Sequence, residues 1–171
     1  MEPAFPVYTT QWASPLGALT LACDREGLCG LWLAGQKYFA RGMPPMAPDP
    51  SRPALIQAQA WLASYFAGER PSLEQLPLAP RGSAFQKQVW RLLCAIPYGE
   101  TRSYGHIARE MAALLGRDSM SAQAVGGAVG RNPISILIPC HRVVGSNGSL
   151  TGYAGGIDKK RWLLEWERRA L

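Results

Sequence analysis

The pattern of apolar and polar positions predicts a small antiparallel sheet in the N-terminal part of the chain. The runs ALTLAC (residues 18–23) and LCGLWL (residues 28–33) consist largely of strand-forming residues, and the turn-like segment DREG separates them. Two apolar runs joined by a short polar turn are typical of a β-hairpin. We therefore expect both runs to lie in one sheet.

The following segments alternate between turn-forming and helical patterns. Residues 43–53 (MPPMAPDPSRP) are rich in proline, which fixes φ and lacks an N–H, so we expect a loop there. A helix is predicted next, because apolar residues recur at helical spacing at Leu55, Ala58, Leu62 and Phe66. A second turn-rich segment, residues 71–82, predicts a linker between two domains.

The C-terminal half shows a series of helical patterns. Ser83 is placed to cap a helix over AFQKQVWRLLCAI, and Ser103 to cap a second helix that ends near Gly116. The apolar stripe predicted for the first of these helices comprises Phe85, Val89, Leu92, Leu93 and Ile96, with Cys94 in the core. A short helix follows in SAQAVGGAVG. Two short helices joined by a turn are typical of a helix-turn-helix, although many such pairs are only packing units.

The short helix predicted in SAQAVGGAVG consists mainly of alanine and glycine, which have small side chains or none. Gly126, Gly127 and Gly130 each cost up to about 1 kcal/mol relative to alanine inside a helix. A helix stripped to alanine and glycine can press its backbone into the minor groove of DNA, which is only about 6 Å wide. Close packing against another helix inside the protein explains the same composition. Both interpretations remain open on composition alone.

Charge divides the chain at the predicted linker. Residues 1–80 carry five Lys and Arg against six Asp and Glu, a net charge of −1, whereas residues 81–171 carry thirteen against six, a net charge of +7. Such an asymmetry favours a polyanionic partner, most simply nucleic acid. We therefore expect an N-terminal domain over residues 1–80 and a basic, DNA-binding domain over residues 83–171.

The chain contains no apolar run long enough for a membrane span and no secretory signal, so we expect a cytoplasmic protein without a membrane partner. Its four cysteines, Cys23, Cys29, Cys94 and Cys140, are then expected to be thiols. Cys23 and Cys29 are separated by five residues, the only histidines are His106 and His141, and no C-x-x-C pair occurs. This pattern predicts no metal site.

The segment IPCHRVVG (residues 138–145) places a cysteine beside a histidine. The preceding run ISILI (residues 134–138) predicts a buried strand or extended segment that delivers Cys140 on a stiff, apolar support. A nucleophilic cysteine needs a base or a positive charge, which His141 and Arg142 supply. Adjacent residues of a strand point to opposite faces, so His141 assists only if the chain turns or a water intervenes. A buried, inert thiol is the alternative.

A base also needs a group that orients it, and the C-terminal helix DKKRWLLEWERRA offers two carboxylates. Glu167 lies four residues beyond Leu163 and shares a helix face with it, so its side chain can point inward. Glu165 lies on the same charged helix. A solvated carboxylate is the simpler interpretation for either residue.

Three segments together carry a family resemblance. NPISILIPCHRVVG, TGYAGG (residues 151–156) and KRWLLEWE (residues 160–167) resemble the O6-alkylguanine-DNA alkyltransferases, also called methylated-DNA-protein-cysteine methyltransferases. The resemblance covers about residues 83–171. It implies an α+β protein with an N-terminal ribonuclease-H-like α/β domain that contains a small antiparallel sheet. The C-terminal domain is implied to be mostly helical and similar to a winged helix-turn-helix.

The resemblance implies direct DNA repair without a cofactor. The alkyl group of O6-alkylguanine, and by extension of O4-alkylthymine, would pass irreversibly from double-stranded DNA to Cys140, so each molecule would act once. The target base would be flipped through the minor groove, because a lesion inside the duplex is out of reach of a side chain. We expect a monomer in solution that is able to bind cooperatively along DNA.

The resemblance also implies roles for individual residues. His141 would take the thiol proton through a water, Glu167 would hold His141, and Asn132 would stabilise the turn beside Cys140. Tyr104 would press on the target phosphate and help to protonate the departing guanine. Residues implied to contact the flipped base or the DNA are Val143, Val144, Tyr153, Ala154, Gln123, Ala124, Gly127, Arg102, Arg117, Arg131 and Arg142, with Arg142 alternatively bracing the active-site chain.

One position departs from the family pattern. The family usually has an arginine just before AVGG that fills the gap left by the flipped base, and this chain has Gln123 there. Glutamine is shorter and neutral, so it offers hydrogen bonds but no cation. The stretch from Tyr104 to Gln123 is also longer than the usual helix-to-helix spacing, so Arg117 is a second candidate for this role.

Three other functions compete with repair. A lesion-binding relative would flip the base without chemistry, but such proteins lack the cysteine at the position of Cys140. A Cys-His hydrolase would turn over repeatedly, and the basic half would then be unexplained. A helix-turn-helix regulator would need polar side chains that read bases, and few lie between Ala122 and Val129.

Overall fold

A four-stranded sheet forms the N-terminal part of the protein in the computed structural model, which describes residues 5–169. The strands are β1 (Val7–Ser14), β2 (Gly17–Cys23), β3 (Leu28–Leu33) and β4 (Met46–Pro48), in the spatial order β3-β2-β1-β4. The predicted hairpin is confirmed, because β2 and β3 pair antiparallel. Strand β1, which also pairs antiparallel with β2, was not predicted.

The prediction that residues 43–53 form only a loop is wrong. Within this segment β4 pairs in parallel with β1, from Val7 opposite Met46 to Thr9 opposite Pro48. Strand β4 is an edge strand, where a proline is tolerated because one side of the strand needs no N–H donor. Pro53 then begins the first helix, at a position where its missing N–H costs nothing.

Helix α1 (Pro53–Phe66) confirms the predicted helix, with one change in its buried stripe. Leu55, Ala58 and Leu62 are buried as expected, but the fourth position is Tyr65. Tyr65 lies three residues beyond Leu62 and is fully buried. Phe66 is half-buried and stacks against Trp12, with ring centroids 5.9 Å apart.

The chain divides into two units. The first comprises the described residues up to Arg81 together with Pro133–Ser135, and the second comprises Gly82–Asn132 and the described residues from Ile136 onward. The N-terminal part is therefore a small α/β unit built on a mostly antiparallel sheet, and the C-terminal part is mostly helical. Among the described residues, no helix is long and apolar enough to cross a bilayer.

Four helices build the second unit: α2 (Ala84–Cys94), α3 (Tyr104–Leu114), α4 (Ala122–Gly130) and α5 (Ile157–Arg169). Their starts follow the predicted caps. Ser83 forms a capping box with Gln86, and Ser103 and Ser121 accept hydrogen bonds from backbone N–H groups in the first turns of α3 and α4. Cys94 is only half-buried, because the buried face of α2 consists of Val89, Trp90 and Leu93.

The prediction of a strand over ISILI is wrong, although all five residues are buried. Only Ile134 makes a β-bridge, with Leu31 inside the first unit. The chain then turns at Ile136, whose φ of +72° lies in the left-handed region. Strand propensity mainly records how well a residue fits a buried surface, and here burial is achieved in a turn instead.

After this turn the chain forms the short 3₁₀ helix Cys140–Arg142 and then strand β6 (Val143–Val144). Strand β6 pairs in parallel with β5 (Arg102–Ser103), which immediately precedes α3. The sequence PCHRVV thus lies inside the second unit, between α4 and α5 in the chain, and β6 is paired with the strand that precedes α3.

Candidate active site

Cys140 and His141 lie on one tight turn. The N–H of Cys140 donates to the carbonyl of Ile138 at 2.8 Å, and the N–H of Arg142 donates to that of Pro139 at 2.9 Å. The side chains of Cys140 and His141 are both buried. The chain therefore turns at Cys140 and does not continue as a strand. This turn is one of the two conditions under which His141 can assist Cys140.

Asn132 closes the loop that precedes Cys140. Its side-chain Nδ2 donates to the carbonyl of Ile138 at 2.7 Å, and Asn132 itself is only 4% exposed. A buried amide of this kind holds two distant parts of the backbone together. The same amide is also near enough to Cys140 to favour its thiolate by a hydrogen bond.

Glu167 lies at the centre of a buried hydrogen-bond network. Nε2 of His141 lies 2.6 Å from Oε2 of Glu167. Arg142 donates through Nε to Oε1 at 2.8 Å and through Nη2 to Oε2 at 3.2 Å, and the N–H of Gly99 donates to Oε1 at 3.1 Å. Glu165, the other candidate on this helix, is exposed.

Arg142 is a brace within this network. Its side chain is only 10% exposed, and besides Glu167 it donates through Nη1 to the carbonyl of Ile96 at 2.7 Å. A guanidinium that is held by a carboxylate and a carbonyl is not directed at solvent. Its geometry is that of a group bracing the active-site chain, not of a phosphate ligand.

The network fixes the protonation states of His141 and Glu167. Burial by itself would raise the pKa of Glu167, but hydrogen bonds and charges from His141 and Arg142 outweigh it and hold that pKa far below its ordinary range. Burial lowers the pKa of His141, and Glu167 opposes this shift only in part. At neutral pH the site therefore contains a carboxylate beside a neutral imidazole.

The free ring nitrogen of His141 identifies it as a candidate base. Nε2 faces Glu167, so the tautomer that donates from Nε2 leaves a lone pair on Nδ1. Nδ1 is buried and has no hydrogen-bond partner among residues 5–169. General-base catalysis requires a neutral imidazole in which a carboxylate orients one ring nitrogen and the other nitrogen has an unused lone pair.

The thiol of Cys140 is protonated in this environment. Burial raises its pKa, and four influences oppose that rise: the Asn132 hydrogen bond, the charge of Lys160, and the backbone N–H groups of Cys140 and His141. A protonated thiol needs a base before it can act as a nucleophile. His141 is the base that the fold places beside it.

Lys160 is a functional candidate that the sequence interpretation missed. Its side chain is fully buried, and Nζ donates to the carbonyls of Thr151 at 3.1 Å and Gly152 at 3.3 Å. In the sequence it belongs to the run DKKR, which is typical of a solvated surface. Its spacing was the available signal, because the positions 160, 163, 164 and 167 share one helix face.

Tyr104 lies next to this lysine. Its hydroxyl donates to the carbonyl of Thr151 at 3.0 Å, and Nζ of Lys160 lies 5.7 Å from the centroid of its ring. Burial raises the pKa of Tyr104, which keeps the phenol protonated. The carbonyl of Thr151 therefore accepts from two potential proton donors, Tyr104 and Lys160. Tyr153 and Ala154, which follow Thr151 closely in the chain, are half-buried.

Helix α4 has one buried and one exposed face. Val125, Ala128 and Val129 are buried, and Nε1 of Trp90 donates to the carbonyl of Ala128 at 2.9 Å. The opposite face is exposed and comprises Gln123, Ala124 and Gly127.

The glycines of α4 are not required by packing inside the protein. A Cβ built at Gly127 or Gly130 would meet no heavy atom of the described structure within 4 Å, and at Gly126 it would make an ordinary contact with Tyr104 at 3.9 Å. Close helix packing therefore does not account for Gly127 and Gly130.

The remaining predicted site residues lie around these groups. Val143 and Val144 are buried in β6. Arg102 is half-buried near Glu100, at 3.5 Å. Arg117, just after α3, and Arg131, at the C-terminal end of α4, are both exposed. Among the described residues, no group of three or more His, Cys, Asp or Glu side chains is arranged to hold a metal ion.

Comparison with known families covers nearly the whole chain. Residues 7–80 match the 6-O-methylguanine DNA methyltransferase ribonuclease-like domain, and residues 84–169 match the 6-O-methylguanine DNA methyltransferase DNA binding domain. The N-terminal half, which carries no diagnostic motif of its own, is thus assigned together with the C-terminal half.

Relatives from bacteria and archaea agree with this assignment. A methylated-DNA–protein-cysteine methyltransferase of Mycolicibacterium paratuberculosis is 46% identical over 163 residues, which is 91% of this chain and 89% of that protein. The Methanosarcina acetivorans protein of the same name is 44% identical, covering 94% of this chain and 98% of its own. The protein in the crystal structure of Mycobacterium tuberculosis OGT in complex with DNA is 44% identical in sequence to this chain. The structural match covers 96% of this chain and 93% of that chain, with a TM-score of 0.81. The chain therefore belongs to the 6-O-methylguanine DNA methyltransferase family.

Proposed function

We propose that this protein repairs DNA directly by moving the alkyl group of O6-alkylguanine onto the sulfur of Cys140. The observation that carries the proposal is the buried pair of His141 and Glu167, a neutral imidazole oriented by a carboxylate, directly beside the buried, protonated Cys140 on the same turn. The basic net charge of residues 81–171 and the side-chain-poor face of α4 support DNA as the partner.

The reaction is a displacement at the alkyl carbon. His141 accepts the Cys140 thiol proton through an intervening water, and the sulfur forms a bond to carbon as the bond from carbon to O6 of guanine breaks. A thioether and guanine result, and the thiol proton balances the charge on the departing base. No external acceptor or cofactor is needed, and because a thioether is not readily cleaved, each molecule acts once.

The leaving guanine needs a proton, and in this proposal Tyr104 and Lys160 supply or stabilise it. Both side chains are bonded to the carbonyl of Thr151, and the pKa of Tyr104 is raised by burial, so the phenol carries its proton at neutral pH. A positive charge on Lys160 also favours the thiolate of Cys140. Developing negative charge on sulfur or on the base is therefore stabilised at both ends of the reaction.

The partner is double-stranded DNA that contains the lesion. Helix α4 enters the minor groove with its exposed face, Gln123 fills the gap left by the flipped base, and Ala124 and Gly127 allow the backbone to approach. Val143, Val144, Tyr153 and Ala154 form the pocket for the flipped guanine. Arg102, Arg117 and Arg131 contact phosphates. The protein acts as a monomer on chromosomal DNA in the cytoplasm, with residues 83–171 as its DNA-binding and acceptor domain.

A stoichiometry experiment tests the proposal. The full chain is mixed with an excess of duplex carrying one radiolabelled O6-methylguanine, and protein-bound label is followed with time. We expect labelling to stop at one equivalent while guanine is restored in the DNA. Continued turnover would indicate a hydrolase, and tight binding without any transfer would indicate a lesion-binding protein; either result would overturn the proposal.

A further inference from the structure

The turn at residues 97–100 contacts the active-site network on two sides. Ile96, immediately before it, provides the carbonyl that accepts from Nη1 of Arg142 at 2.7 Å. Gly99, within it, provides the N–H that donates to Oε1 of Glu167 at 3.1 Å. Both contacts are made by backbone groups, so they cannot be predicted from a side-chain motif in the sequence.

The conformation of Gly99 directs its N–H into the site. The N–H of Glu100 donates to the carbonyl of Pro97 at 3.1 Å, which closes a β-turn, and φ of Gly99 is +80°. A positive φ at the third position of such a turn is typical of type II turns and strongly favours glycine. The ring of Tyr98 lies 5.6 Å from the guanidinium carbon of Arg142 and further confines the turn.

Gly99 and Arg142 share the charge of Glu167 with His141. Oε1 accepts from Gly99 and from Nε of Arg142, while Oε2 accepts from Nη2 of Arg142 and faces Nε2 of His141. Each donor on a carboxylate stabilises its anionic form and draws on its negative charge. The more donors Glu167 has, the less strongly it favours a proton on His141.

We infer that the turn at residues 97–100 is a positioning device for the reaction, in which the Gly99 N–H sets both the orientation and the basicity of His141 through Glu167. Gly99 touches no reacting atom, so it is a positioning residue. The inference rests on the proposed alkyl transfer and assigns a role to a segment that the mechanism above does not use.

Several ionisable groups of the described residues surround this pair, and they define what a pH experiment reports. They are Cys140 on the same turn as His141, Arg142, Lys160 of α5, Tyr98 of the turn itself, and Cys94 of α2, which lies near Arg142. Burial raises the pKa of Cys94 to about 11. An acidic limb in the rate near and below the ordinary range of histidine therefore reports His141.

The test compares Gly99→Ala, Gly99→Asn and Gly68→Ala in the full chain. Gly68 has a similar φ of +86°, lies after α1, and has open space where a Cβ would be added, so it reproduces the strain without touching the site. Asparagine tolerates positive φ better than alanine does. The readouts are the single-turnover rate constant at saturating lesion DNA as a function of pH, and the Kd for that DNA.

Alanine keeps the N–H but disfavours the positive φ that directs it at Glu167, so the hydrogen bond to this charged group weakens. We expect Gly99→Ala to lower the plateau rate constant by at least about threefold, with little change in Kd. Its acidic limb should move to higher pH, because Glu167 then favours the imidazolium more strongly. Gly99→Asn should lie closer to wild type, and Gly68→Ala should match wild type. A folded Gly99→Ala protein with the plateau and acidic limb of wild type would overturn the inference.

A measurement on the unaltered protein decides the matter if Gly99→Ala fails to fold. The amide proton of Gly99, followed by NMR, should shift with pH at the midpoint at which the His141 ring titrates, because both groups bind Glu167. A Gly99 signal that does not move through that titration would contradict the inference. This result is independent of alkyl transfer, which is tested separately by whether wild type accepts label at all.

Discussion

Nε2 of His141 lies 2.6 Å from Oε2 of Glu167, and the two side chains are 0% and 1% exposed. A carboxylate this deeply buried is stable only because Arg142 and Gly99 also donate to it. The pair sets the tautomer of His141, and with it which ring nitrogen is available to a proton from Cys140.

The first prediction concerns the carboxylate itself. Glu167→Gln keeps the size of the side chain but removes its charge, so His141 loses its orienting partner. We expect the single-turnover rate constant to fall roughly 10- to 100-fold, less than the roughly 10²–10⁴-fold that a general base contributes. The matched control is Glu165→Gln on the same helix, where the side chain is exposed. Equal rates for the two variants would refute this role of Glu167.

The second prediction concerns Lys160. Lys160→Met removes a positive charge that favours the Cys140 thiolate, so the pKa of that thiol should rise further. We expect the rate of alkylation by iodoacetamide at neutral pH to fall by about tenfold, which corresponds to about one pKa unit. Lys159→Met, one residue earlier and less buried, serves as the control. An unchanged rate in Lys160→Met would show that its charge does not act on the sulfur.

The third prediction concerns the exposed face of α4. Gln123→Arg adds a cation at the position that we place in the DNA stack. We expect tighter binding to lesion DNA by roughly two- to fivefold, in line with a partly exposed cation–π contact. Ser119→Arg, also exposed but outside the helix, adds the same charge elsewhere. If both variants tighten binding equally, the gain is due to overall charge and not to the position of residue 123.

The fourth prediction concerns stability in acid. The pKa of Glu167 is held below its ordinary value of 4.5 and that of His141 below 6.5, so the unfolded chain binds more protons than the folded one at low pH. The stabilisation is fully present above about pH 6.5 and is lost progressively as the pH falls. Urea unfolding of wild type and Glu167→Gln between pH 4 and pH 8 measures this effect. A slope with pH that is the same for both proteins would contradict it.

The sequence predicted much of the second unit because its helices begin with explicit caps. Ser83 and Ser103 were recognised as caps before apolar stripes, and both helices formed as expected. The family resemblance, and not spacing, identified the roles of Cys140, His141 and Glu167. Neither source predicted that Cys140 begins a 3₁₀ turn, because the β-branched run before it favours a strand.

Other features were missed for definite physical reasons. Strand β1 mixes polar and apolar residues and lacks clean alternation, so its burial depends on its pairing with β2 and β4. Lys160 is indistinguishable from its charged neighbours unless the spacing to Glu167 is noticed. The contact of Gly99 with Glu167 is made by the backbone over 68 residues of sequence separation. Such long-range backbone contacts leave no local pattern in a sequence.

The central claim is that one sulfur atom accepts the alkyl group and keeps it. Intact-mass and peptide mass spectrometry after reaction with O6-methylguanine duplex tests it most directly, with Cys140→Ala as the control. We predict a single added methyl group on the peptide that contains Cys140, matched mole for mole by restored guanine, and no reaction in Cys140→Ala. Restored guanine with an unmodified Cys140, or a methyl group on another residue, would contradict the account.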